Sequence, residues 1–96
     1  MQNGKQLYEE IIVRFQHLLK QVQPQVKELK RGDVRLFKAK GKHIGLVNSY
    51  ADNIQLVVFS PGKRFARNMV YDYRPGQDIN WQQIESMLKA NYGTTA

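Results

Sequence analysis

The sequence predicts an α+β fold: an antiparallel three- to four-stranded meander flanked by an N-terminal and a C-terminal helix. Three observations predict it. Apolar residues recur at three- and four-residue steps in the first quarter of the chain and again near its end, the period of a single helix face. Between these segments the period changes to two, as in half-buried strands. Turn residues interrupt the alternating region at intervals too short for crossover helices, so successive strands should run antiparallel.

The first helix is expected over residues 5–22. Tyr8, Ile11, Ile12, Phe15, Leu18, Leu19 and Val22 form its stripe, and Pro24 ends it. Ile12 and Val13 widen the stripe enough for a second contact, which makes a homodimer an expectation to carry forward. Val26 and Leu29 extend the helical spacing, so residues 25–30 read as one more helical turn before Arg31-Gly32-Asp33 reverses the chain. That tripeptide also spells a cell-adhesion motif, but without a secretion signal it reads as a turn.

Strands are expected over 34–40, 43–50, 54–59 and 67–73. The first sets Val34, Leu36 and Lys38 against Arg35, Phe37 and Ala39, with Gly41-Lys42 as a hairpin candidate. Ile44, Leu46 and Asn48 share a face of the second, and Ala51-Asp52-Asn53 turns into the third. Ser60-Pro61-Gly62 breaks the ladder. The fourth alternates Arg67, Met69, Tyr71 and Tyr73 against Asn68, Val70 and Asp72, and Pro75-Gly76 closes it. The last helix, over 81–91, has Asn80 as its N-cap with Gln83 three residues on, and a stripe of Trp81, Ile84, Met87 and Leu88. Gly93 sits where a C-terminal cap belongs.

A chain of 96 residues, 42% hydrophobic and 24% charged, has room for one globular core, so residues 1–96 are expected to form a single domain. No cysteine is present, which removes disulfides, thiolate metal sites and cysteine nucleophiles and suits a reducing, cytoplasmic setting. No apolar segment reaches signal or membrane-spanning length, so a membrane partner is not expected.

The net charge of +7 is unevenly placed. Residues 27–74 hold eleven Lys and Arg against four acids, while the flanks carry four of each sign and cancel. A neutral pair of flanks around a basic middle puts the positive field on one part of the fold, where it can attract a polyanion; the plainer reading is a solubilising surface. Lys38, Lys40, Lys42, Lys63, Arg64, Arg67 and Arg74 are the candidate phosphate contacts. Tyr71 and Tyr73 are the candidates for stacking on a base, unless such rings are simply core.

Catalytic chemistry is not specified. His17 lies between stripe residues, His43 has no carboxylate nearby in sequence to orient it, and the acids are scattered, so no metal set, carboxylate pair or catalytic residue is named. The glycines at 32, 41, 45, 62 and 76 read as turns or a strand close-approach site, not a phosphate loop, and no cofactor is expected. The preferred expectation is therefore a non-enzymatic module binding DNA or RNA.

A family likeness supplies an alternative. Asp33-Val34-Arg35-Leu36-Phe37, Gly41 to Val47, Ile54 to Phe59 and Gly62-Lys63-Arg64 together resemble the strand ladder and basic turn of RelE-like ribosome-dependent ribonuclease toxins, over less than half the chain. The resemblance implies RNA cleavage by Lys63, Arg64, Arg67 and Tyr71. The single long first helix and the capped terminal helix depart from the helical hairpin with which that family opens. The turn spacing from Arg31 to Gly62 also suits a small SH3-like barrel. The remaining alternative is an accessory factor of phage or mobile-element type docking on an acidic protein.

Overall fold

The computed structural model describes residues 4–60 and 68–93, and orders them as a helix, five strands and a helix. Helix α1 covers Gly4–Val22 and α2 covers Trp81–Tyr92; the strands are β1 (Lys27–Arg31), β2 (Val34–Ala39), β3 (Lys42–Ser49), β4 (Ile54–Val58) and β5 (Met69–Tyr73). The fold is α+β. All five strands join one antiparallel sheet in chain order, with β1 and β5 as its edges, so the sheet is an open meander and not a closed barrel.

The fifth strand corrects the expectation of three or four. Residues 27–31, read from Val26 and Leu29 as a helical turn, form β1 and pair with β2 from Lys27↔Lys38 to Arg31↔Val34. The reason is the turn that follows. Arg31 and Val34 are joined by only Gly32 and Asp33, and Gly32 takes φ +58, the left-handed first position that a two-residue hairpin favours. A hairpin that tight makes its preceding segment a strand whatever the helical spacing of its two apolar residues. Every residue of β1 is exposed, so the ladder to β2, not burial, holds it in place.

Both helices pack on one face of the sheet, hereafter the inner face. Leu7, Ile11, Ile12, Phe15, Leu18, Leu19 and Val22 of α1 and Ile84 and Leu88 of α2 share a core with Phe37, Ala39, Val47, Ile54, Leu56, Val58 and Tyr73 of the sheet. Phe15 is the keystone. Its ring meets Phe37 edge to face at 5.4 Å and lies over Gly45, where a Cβ would fall 2.6 Å from its Cζ. Only glycine leaves room for that ring. Opposite Phe37 the register shifts: Gly45 pairs with Phe37 but His43 pairs with Lys38, which leaves Ile44 as an extra residue. Such a bulge lets Ile44 join the core, although its alternation with Leu46 and Asn48 predicted the other face.

At α2, the Asn80 side chain accepts the Gln83 backbone N–H at 3.1 Å, as the sequence predicts. Gly93 does cap the helix, its N–H donating to the Lys89 carbonyl, but in extended and not left-handed backbone. Two contacts tie α2 down: the Gln23 side chain donates to the Tyr92 carbonyl at 3.2 Å, and the Tyr92 hydroxyl donates to the Phe59 carbonyl.

Candidate nucleic-acid interface

Residues directly opposite in an antiparallel sheet share a face. The register therefore sorts the other face, the outer one, into rows that cross the strands. One begins with Lys27 on β1, opposite Lys38 on β2, which in turn stands opposite His43 on β3. Lys42 pairs with Ala39 at the end of the same hairpin, and the two-residue turn between them is Lys40-Gly41. Four lysines and a histidine thus gather at one end of the sheet.

Two features of this cluster cost stability. Like charges directly opposite one another repel, and Lys27 faces Lys38 with no acid between them. Among the described residues the ion pairs are Arg35 with Glu28 at 3.3 Å and Lys89 with Glu85 at 3.0 Å, and neither involves a lysine of the cluster. Lys40, moreover, has φ 53 beside Gly41 at φ 76. A type I′ turn needs both central residues left-handed, a conformation that suits Asn or Gly and strains Lys. Lys27, Lys38 and Lys40 border an open groove of about 770 Å³ whose other lining residues include Val26 and Leu29. The ring of His43, exposed and opposite Lys38, lies 6.2 Å from that of Phe59, which is half-buried.

Of the remaining candidates, the described ones, Arg74, Tyr71 and Tyr73, do not join this cluster. Arg74 is exposed just beyond β5, at the far edge of the sheet, where its backbone N–H donates to Gln77 Oε1 at 2.9 Å. Lys63, Arg64 and Arg67 lie outside the described residues. Tyr71 and Tyr73 are on the inner face. Their rings stack parallel at 6.3 Å, Tyr73 is 7% exposed, and the Tyr71 hydroxyl is covered without a hydrogen-bond partner among the described residues. Burial pushes both phenols above their ordinary pKa, Tyr73 also through its neighbour Tyr71. Lys38 is therefore on one face and the tyrosines on the other, while Arg67, expected to share the tyrosines' face, lies outside the described residues.

Lys27 is the member of the cluster that sequence reasoning missed. It was counted in the basic excess, but its position opposite Lys38 exists only once residues 27–31 are a strand. The two-residue Gly32-Asp33 turn was the signal that could have found it.

His17 is exposed on α1, with its Nε2 3.2 Å from the Gln21 amide nitrogen and no acid in that contact. Among the described residues no group of His, Asp and Glu could hold a metal ion, and no helix is long and apolar enough to cross a membrane. No protein-family model, curated protein or solved structure matches the chain.

Proposed function

We propose that this chain is a non-catalytic binding module for nucleic acid, engaged through the cationic end of the outer sheet face. Lys27 and Lys38 on that face, with Lys40 and Lys42 at the adjoining hairpin tip, contact phosphate, and among the described residues the rings of His43 and Phe59 are available to a base at that end. The observation that carries this reading is Lys27 held directly opposite Lys38 without an acid. A solubilising surface is served by charges spread apart, whereas an opposed pair repels until a bound anion relieves it. Lys40 supports the same reading, because a lysine sits at a strained turn position that Asn or Gly would fill better. Lys63, Arg64, Arg67 and Arg74 add to the positive field on charge alone, and a cytoplasmic setting suits a chain without cysteine.

The inner-face placement of Tyr73, buried, and Tyr71, half-buried, weighs against base stacking by either. It also weighs against the ribonuclease alternative, which needs the Tyr71 hydroxyl at a substrate. Docking on an acidic protein uses the same lysines, and the test separates it.

Affinity for single-stranded RNA and DNA oligonucleotides, read by fluorescence anisotropy, should fall with salt at a log–log slope of roughly −0.7 to −0.9 per phosphate neutralised. Changing Lys27 and Lys38 to Gln should flatten that slope by about 1 for each cation removed. Lys40→Asn should weaken binding while raising stability by roughly 0.5–2 kcal/mol, the mark of a residue kept for function. No measurable binding at low salt would overturn the reading and leave the acidic-protein alternative. An equal loss from Lys20→Gln and Lys89→Gln, on the helices, would show that net charge and not the cluster binds.

A further inference from the structure

The next row on the outer face is wholly aliphatic. Leu29, Leu36, Leu46, Val57 and Val70 stand opposite one another through all five strands, a band roughly 19 Å long at about 4.8 Å per strand. Its ends are open, with Leu29 40% and Val70 49% exposed; Leu36 and Leu46 are half-buried and Val57, at 7%, is buried among its neighbours in the row, although no described helix crosses it, since both pack on the inner face. The row beyond it runs Arg31, Val34, Asn48, Gln55, Asp72. Its charges stand only at its two ends, positive on edge strand β1 and negative on edge strand β5.

We propose that this face joins two copies of the chain, related by a two-fold axis that lies between the two outer faces, parallel to the plane of the sheet and to β3. That rotation lays β1 of one copy over β5 of the other, β2 over β4, and β3 over itself. Leu29 then meets the partner's Val70, Leu36 meets the partner's Val57, and the two Leu46 side chains meet at the axis. Arg31 meets the partner's Asp72, and the same pair repeats at the opposite edge, as an isologous interface requires. Both groups are exposed. Asp72 Oδ1 accepts from the Asn53 side chain at 2.9 Å, which leaves its second oxygen for the guanidinium.

The charges select this axis. A two-fold axis between the two faces but perpendicular to the strands would lay Lys27 over the partner's Arg31, cation on cation. They also favour a second copy over an unrelated protein, because the pattern complements itself: an aliphatic row that maps onto itself, and ends of opposite sign that exchange under one rotation. Sheets packed this way sit about 10 Å apart. The Lys38 stems can run out to the rim, and the cationic ends of both copies open at the same end of the sandwich. In projection the five strands cover roughly 400 Å² a side, at about 4.8 Å per strand and 3.4 Å per residue. An interface that small belongs with weak specific contacts, so association in the micromolar range is expected.

Sedimentation equilibrium without nucleic acid tests this independently of the binding reading. Wild type should pass from monomer to dimer across the micromolar range. Arg31→Asp and Asp72→Arg, each checked for native circular dichroism, should each dissociate about tenfold or more readily, because each places like charges at both edges. An equimolar mixture of the two variants should dimerise, since every edge pair is then of opposite sign, and so should the double variant. Val70→Lys, at an exposed site that spares the fold, should be monomeric. A wild type that stays monomeric throughout overturns the proposal, as does a mixture that associates no better than its components.

Discussion

On the inner face of the sheet, Phe37, Val47, Leu56 and Val58 are fully covered by two helices. On the outer face, at the alternate positions of the same strands, stand Leu36, Lys38, Leu46 and Gln55, none of them fully covered. The contrast shows how a small domain divides its sequence. Inner positions are committed to packing, where one added carbon at Gly45 would collide with the ring of Phe15. Outer positions are not so bound, and it is there that the chain tolerates a repelling lysine pair and an aliphatic row exposed at both ends. Features that cost stability and serve no packing are the ones to ask about function.

The comparison can be broken first at its most packed point. Phe15→Ala should cost about 3–5 kcal/mol in chemical denaturation, since a fully buried ring is lost and the cavity lies between helix and sheet. Val70→Ala, on the outer face, should cost under about 1 kcal/mol. Equal costs would mean that the two faces are not different in kind. A smaller effect is expected at Gly45, where Ala must push Phe15 aside; roughly 1–3 kcal/mol is the usual range for overpacking a core. A neutral Gly45→Ala would show that the ring does not rest there.

Smaller again is the effect of alkali. Burial raises the phenol pKa of Tyr73, Tyr92, Tyr71 and Tyr8 above the ordinary 10.0. A raised folded-state pKa means that the neutral form is favoured on folding. The stability these groups contribute is therefore complete below pH 10.0 and is lost as the pH rises through their folded-state values. Denaturation midpoints should fall across that window, and less steeply in Tyr73→Phe. An unchanged slope in that variant would mean that the Tyr73 hydroxyl is solvated.

Much of the inner face was legible in the sequence. The split of Val34, Leu36 and Lys38 from Arg35, Phe37 and Ala39, the stripe on the first helix and the Asn80 cap all follow from period and side-chain chemistry, which act locally. The outer face was less legible because it depends on register. That Lys27 faces Lys38, or that five aliphatics from five strands line up, cannot be read from any one segment. β1 was hidden because Val26 and Leu29 have helical spacing and the strand buries nothing. Ile44 was assigned to the wrong face because a bulge adds one residue without a turn signal. Tyr71 and Tyr73 were placed on one face correctly, but alternation alone does not say which face the helices will cover.

The central claim is that the outer face at the β2–β3 hairpin meets the polyanion while the helix-covered face does not. Backbone amide chemical shifts, followed during titration with a short single-stranded oligonucleotide at low salt, test it most directly. The largest changes should fall on Lys27, Lys38 and the run from Lys40 to His43, with little change at Gln83, Glu85 and Lys89 on α2. Changes concentrated on α1 or α2, or spread evenly over every lysine, would contradict the account.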